Sequence, residues 1–339
     1  MPDAHPGPHA CNGFAIATGS GIYPHWIGGD IGCGYTTVRL SGLNTLLTSP
    51  QLRRTTIDTL ASAIPIIRSH TPTELPKSIL PETLSAPNLE TIARRDGRIQ
   101  LGTLGRGNHF VELQLDDESQ GWILIHSGSR AMGPAVLAHH LKSATRIASG
   151  IYRIDAQTPA FDAFRNDHDW CLRYASLNRA EILSRTILAL SSISQSPVTP
   201  SSPVIDSPHN LLTQEVVGDR TLLIHRKSVT PAHHGTPVIV PGTIATPTYH
   251  AIGRATEESL FSCAHGAGRI MSRSQAQHRI RRDRAAQALA DRLPSKTSIK
   301  DVLDECPEAY RPIEQVMRAQ QDLITITRTL RPILTLKGN

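Results

Sequence analysis

Asp30 and Cys33 place a hard carboxylate and a soft thiolate three positions apart, in the run Gly28-Gly29-Asp30-Ile31-Gly32-Cys33-Gly34. A thiolate has enough lone pairs to bridge two ions, and a neighbouring carboxylate biases the pair towards divalent transition metals such as manganese or zinc. The glycines let backbone approach a bound ion. An isolated D-x-x-C match is more often a turn followed by a buried, inert cysteine, so the metal reading needs partners from elsewhere. Sixteen histidines supply candidates, several within Gly-rich segments: Gly107-Asn108-His109, His126-Ser127-Gly128 and His265-Gly266-Ala267-Gly268. A lone histidine at a strand end is more often structural than a ligand. His109, His126 and His225 nevertheless share a pattern, each standing at the start or end of an apolar, β-like run beside a small or basic neighbour. With Asp30 and Cys33 they make a candidate two-metal cluster bridged by Cys33, with positions left open for substrate oxygens.

His265 sits in Ser262-Cys263-Ala264-His265-Gly266-Ala267-Gly268-Arg269, where glycines clear space and an arginine can neutralise developing charge. A nucleophile or acid/base catalyst is the sharper reading of this histidine, and a metal ligand the other. No G-x-x-x-x-G-K-[ST], G-x-G-x-x-G after a strand, or H-E-x-x-H is present. Phosphates would then be held by metals, by Arg269 and Arg130, and by backbone amides of Gly242, Gly266 and Gly268. The formal charge of +6 leans towards a polyanionic partner, and aromatic residues at 4% leave little for a base-stacking platform, so nucleic-acid contacts fall mainly on phosphates. Arg269, Arg273, His278, Arg279, Arg281, Arg282 and Arg284 crowd one segment. It reads as a helix to about Leu293 whose basic face is either solvated or set to bind phosphate.

The elements that must position these residues follow from periodicity. Residues 47–69 and 87–96 read as short helices, His109 to Leu115 and Trp122 to His126 as two strands joined by an acidic turn, and 131–149 and 162–190 as helices. Residues 191–207 are rich in Ser and Pro and read as a loop or linker. Thr221 to His225, Pro237 to Val240 and Tyr249 to Ile252 read as strands, and a helical region ends at Leu330. The candidate ligands run from Asp30 to His265 and must converge, which favours one mixed α/β unit over 1–339 with Gly-rich loops gathered at one face. A chain of 339 residues, 39% hydrophobic, buries a substantial core. Five scattered cysteines without a C-x-x-C pair, no signal peptide and no apolar run of membrane length point to the reducing cytoplasm and to no membrane partner.

Met1-Pro2-Asp3-Ala4-His5, GGDIGCG at 28–34, LGTLGRGNHFVE at 101–112, HSGSR at 126–130, HRK at 225–227, PGT at 241–243, HGAGR followed by IMSRSQA at 265–276, and the terminal Leu336-Lys337-Gly338 occur in one order along the chain. Together they resemble the RtcB family of RNA ligases. The resemblance implies an RtcB-like domain of central β-sheets with helices packed around them and a metal and nucleotide cleft built from Gly-rich loops. It implies a GTP- and Mn-dependent ligase joining RNA 2′,3′-cyclic phosphate or 3′-phosphate ends to 5′-hydroxyl ends through a GMP-histidine at His265, in RNA repair or tRNA processing. By motif, Asp30, Cys33 and His109 would hold one Mn, and Cys33, His126 and His225 the other. Guanylate would contact Asn108, His109, Phe110, Val111, Glu112, His225, Arg226, Pro241, Gly242, Thr243, Ile244, Thr248, His265, Gly266, Ala267, Gly268 and Lys337.

Departures from the family pattern are a start at the MPDxH motif without a preceding segment, HRKSVT for HRKGAT, and PGTIATPT for a PGSMG-like loop. The phrase from Tyr23 to Gly34 resembles the subgroup coupled to peptide release factor H, which makes such a factor, or an activating protein, an expected partner. Other readings are a two-metal cyclic phosphodiesterase or phosphatase on RNA ends, and a non-catalytic RNA-binding partner of a translation factor.

Overall fold

The computed structural model describes residues 1–338 and is a mixed α/β fold. Its centre is an antiparallel sheet whose strands run, in spatial order, Pro237–Pro241, Thr248–Gly253, Ile324–Lys337, Phe110–Asp116, Gly121–Ser127 and Gly34–Ser41. Alternation along these strands divides two environments. Val111, Leu113, Ile123, Ile125, Leu334 and Leu336 face one way, into a core with Ile57 and Leu60 of helix Pro50–Ala63 and Ile182 and Leu190 of helix Pro159–Ser191. Phe110, Glu112, His126, Thr335 and Lys337 are the intervening positions, and they line a cavity on the opposite face. Thr158 caps the long helix by accepting from the Phe161 N–H, with Pro159 in the first turn.

The expected hairpin is present, with Phe110 opposite His126. A smaller antiparallel sheet, Phe14–Thr18, Arg220–Lys227 and Asn210–Val217, lies beside the cleft, and Val229–Pro231 pairs with Ser262–Ala264 to deliver His265.

Four sequence expectations are corrected. The region expected to be helical up to Leu330 turns into strand at Ile324, because Ile324-Thr325-Ile326-Thr327 alternates β-branched residues, and the ladder absorbs Pro332 through an irregularity before Leu334. The basic helix is two helices, Arg273–Arg279 and Arg282–Leu289, because Ile280 is extended. Helix 131–149 stops at His140, and Thr145–Ala148 pairs with Ile151–Asp155. Residues 191–207 are not wholly a linker: Thr199–Pro200 and Ile205–Pro208 both pair with Gly34–Ser41. Among the described residues no helix is long and apolar enough to cross a membrane.

Candidate active site

The D-x-x-C segment is a turn in which the Cys33 N–H donates to the Asp30 carbonyl at 3.0 Å. Gly32 adopts φ +76°, and a Cβ there would lie 2.9 Å from the Ala175 Cβ, so glycine alone lets the turn pack on the long helix. Gly128 does the same from across the cleft: a Cβ on it would lie 2.2 Å from Asp30 Oδ1. Asp30 is thereby held with Oδ2 2.9 Å from His109 Nε2 and Oδ1 accepting from the Ser129 N–H.

Cys33 Sγ lies 3.5 Å from His109 Nε2 and 3.1 Å from His126 Nε2, and His126 Nε2 lies 3.3 Å from His209 Nε2. Among the described residues these atoms form two groups that share the thiol: Asp30, Cys33 and His109, and Cys33, His126 and His209. Donors on one tetrahedral ion with bonds of about 2.0–2.3 Å are separated by roughly 3.3–3.8 Å, close to the spacing found. The His126 Nδ1–H donates to the Asn108 carbonyl at 3.0 Å, which leaves the Nε2 lone pair facing His209 and Cys33. Burial and neighbouring histidines hold the His126 and His209 imidazoles well below the usual range, so both rings are neutral. Burial, then the Asp30 charge, pushes the Cys33 thiol well above its usual range. A cation reverses that preference and deprotonates a coordinating thiol. The donor set and its spacing fit divalent transition ions.

His225 does not join them. It is fully buried on the Arg220–Lys227 strand, its Nε2 accepts the Tyr23 N–H at 3.0 Å, and its ring packs edge-on against Tyr23 and Trp26. Burial pushes it down to about 4. His209 occupies the place expected for it, tied to the loop by its N–H donating to the Cys33 carbonyl at 2.8 Å. The signal was available, since His209 directly precedes the apolar run that starts Asn210-Leu211-Leu212, which is the criterion that singled out His225. Asn210, also not foreseen, donates from Nδ2 to the Asp30 carbonyl at 3.0 Å and lines the same cleft.

His265 lines both the metal cleft and the cavity on the sheet's outer face. Its Nδ1–H donates to Oδ2 of fully buried Asp3 at 2.6 Å, and its backbone N–H donates to the same oxygen. This fixes the tautomer and leaves Nε2 as the free ring nitrogen. Asp3 belongs to the Met1-to-His5 motif, but no role was assigned to it from sequence; nothing in a linear reading joins positions 3 and 265.

The cavity is lined by Asn108, Phe110, Glu112, Pro241, Gly242, Thr243, Ile244, Gly266, Ala267, Gly268 and Lys337 of the expected guanylate set. Glu112 accepts from Gln114 Nε2 and from Thr335 Oγ1, and burial pushes its carboxyl up to about 7. Lys337 is buried, 3.2 Å from Glu305, with its ammonium 5.5 Å from the Phe110 ring centroid. Besides His109, which lines the metal cleft instead, and His225, three expected guanylate positions differ. Val111 points into the core by strand alternation. Thr248 is buried and accepts from Gln114 Nε2, behind Glu112. Arg226 is fully buried, pairing with Glu215 at 2.6 Å and donating to Ser262 Oγ and the Leu260 carbonyl, so it braces the approach to His265. Of the two arginines assigned to phosphate, Arg130 borders the metal cleft, its Nη1 3.4 Å from His109 Nδ1, whereas Arg269 is paired with Glu305 at 3.0 Å at the cavity edge.

Comparison with known proteins bears on the family of the chain. Residues 81–338 match the family described as tRNA-splicing ligase RtcB. The RNA-splicing ligase RtcB of Escherichia coli K12 is 32% identical over 370 residues, taking in 100% of this chain and 89% of that protein. RNA-splicing ligase RtcB2 of another Escherichia coli strain is 31% identical over 365 residues, covering 100% of the chain and 87% of the relative. The Mycobacterium tuberculosis RtcB ligase is 30% identical over 298 residues, 75% of this chain and 68% of its own. A match across three quarters of the chain and these full-length relatives make the chain a member of the RtcB family.

Proposed function

We propose that the chain is an RNA ligase that joins 3′-phosphate or 2′,3′-cyclic phosphate ends to 5′-hydroxyl ends, with GTP as co-substrate and manganese in the thiol-bridged site. The position of His265, facing both the five-donor cleft and the cavity that holds most of the expected guanylate set, carries this reading. Asp30, Cys33, His109, His126 and His209 would hold two divalent ions, which supply positive charge against the phosphoryl oxygens. His265 Nε2 attacks the α-phosphorus of GTP; the N–P bond forms as the bond to the β-phosphate oxygen breaks, and pyrophosphate leaves. Asp3 keeps the Nδ1 proton and stabilises the imidazolium that develops. A 2′,3′-cyclic end is first opened by water to the 3′-phosphate; the guanylyl group then passes to the RNA 3′-phosphate as its bond to His265 breaks, and the 5′-hydroxyl attacks that 3′-phosphorus and displaces GMP. Glu112 and Lys337 fit an acceptor and a donor for the base. Residues 1–339 would act as one ligase unit in the cytoplasm, and the likeness of residues 23–34 to the subgroup coupled to release factor H supports repair of cleaved RNA with such a factor as partner.

Incubation with α-labelled GTP and Mn should leave acid-labile label on the protein. Equal labelling of His265→Ala, or unlabelled wild type with metal bound, would sink this mechanism.

A further inference from the structure

Tyr35 follows the D-x-x-C turn by two residues, on the cavity face of the central sheet. Its ring packs against His126 and His209 at centroid distances of 4.6 and 4.9 Å and tilts against Phe110 at 6.4 Å. With Leu124 and Ile239 it forms a small apolar cluster behind the site. A phenylalanine would serve all of these contacts. The hydroxyl is what they leave over: Tyr35 is only 3% exposed, its oxygen meets no hydrogen-bond partner among the described residues, and it is not sealed off but opens on the cavity. A phenolic O–H that opens on a cavity with no protein partner is free to bond to whatever fills that cavity.

The hydroxyl points to where a ligand would supply that partner. Tyr35 lines the cavity, and a Cβ placed on Gly266, the residue after His265, would lie 3.8 Å from the phenolic oxygen. His209 bridges the two sides, its ring 4.9 Å from that of Tyr35 and 4.9 Å from that of His265. A group bonded to His265 Nε2 enters the same space.

We propose that the Tyr35 hydroxyl donates a hydrogen bond to the phosphoryl group of the guanine nucleotide as it is transferred to and from His265. This rests on the guanylylation reading above. The phenol adds a neutral donor to the metal charge, placed where negative charge develops on the phosphoryl oxygens. The apolar ring also keeps water away from the phosphoramidate.

Tyr35→Phe separates hydroxyl from ring. Metal content per protein, the rate of labelling from α-labelled GTP, and the affinity for GMP in a His265→Ala background with Mn are measured in parallel. The expected result is unchanged metal content, labelling slowed on the order of 10²-fold, and GMP bound about tenfold more weakly. Labelling at the wild-type rate overturns the assignment whatever the affinity, and so does loss of metal, which would place the hydroxyl in the service of the cluster. Wild type that neither labels nor binds GMP overturns the guanylylation reading and this contact with it.

Discussion

A thiol buried beside a carboxylate favours its neutral form until a cation arrives, which makes Cys33 the residue on which the cluster depends. Cys33→Ala should remove both ions and guanylylation, whereas Asp30→Ala should weaken mainly one. His209→Ala and His225→Ala separate ligand from scaffold. The first should lose one ion and most labelling. The second should keep metal content but lose stability, since it leaves a cavity and the Tyr23 N–H without its acceptor; metal analysis giving the reverse would restore the sequence assignment. Glu112 offers a pH test. Its folded value, about 7, lies above the ordinary 4.5, so the folded state holds an extra proton between those values. That contribution is fully present below the unfolded value and is lost as pH rises through the folded one. Glu112→Gln should therefore match wild type in unfolding free energy near pH 5 and exceed it near pH 8, where wild type carries a buried charge. A difference that does not change with pH would refute the assignment.

Segments chosen by strong alternation were found where the sequence put them, because a period of two both forms the strand and decides which side chains meet the cleft: Phe110, Glu112 and His126 on one face, Val111 and Ile125 on the other. Errors came where one local pattern supported two answers. Residues 324–330 mix β-branched residues with good helix formers, and pairing with two neighbouring strands decides for strand. Local runs cannot choose between His209 and His225, as both border apolar strands; His225 is held in register opposite Ile16 and Leu212, whereas His209 lies between two strands with its N–H on the Cys33 carbonyl. Arg226, expected at the guanylate, is buried away from the cavity and acts as a brace. With Glu215 it anchors Leu260 and Ser262, just ahead of His265. Arg226→Met alone should cost about 3 kcal/mol, the lower end for breaking such a pair, because the half-buried Glu215 loses its main partner. Arg226→Met combined with Glu215→Leu should recover much of that in urea unfolding. Equal loss in the single and double variants would contradict the pairing.

Two sheets, a long helix and the first residues of the chain meet at one cleft, bringing Asp3 to His265 and Cys33 to His209. The motifs in order along the chain announced that convergence, but the contacts that orient the nucleophile appear only once distant segments are folded together. Such an assembly has a use for each part if RNA ends are sealed through a guanylylated histidine: metals for phosphate charge, a cavity for guanine, and Asp3 to set the nucleophile. The most direct measurement is sealing of two RNAs, one ending in a 3′-phosphate and one beginning with a 5′-hydroxyl, by the full chain with Mn, with and without GTP. Joined product that requires GTP and disappears in His265→Ala is the predicted result. Sealing by His265→Ala, or no joined product from the wild-type chain while GTP and metal are bound, would contradict it.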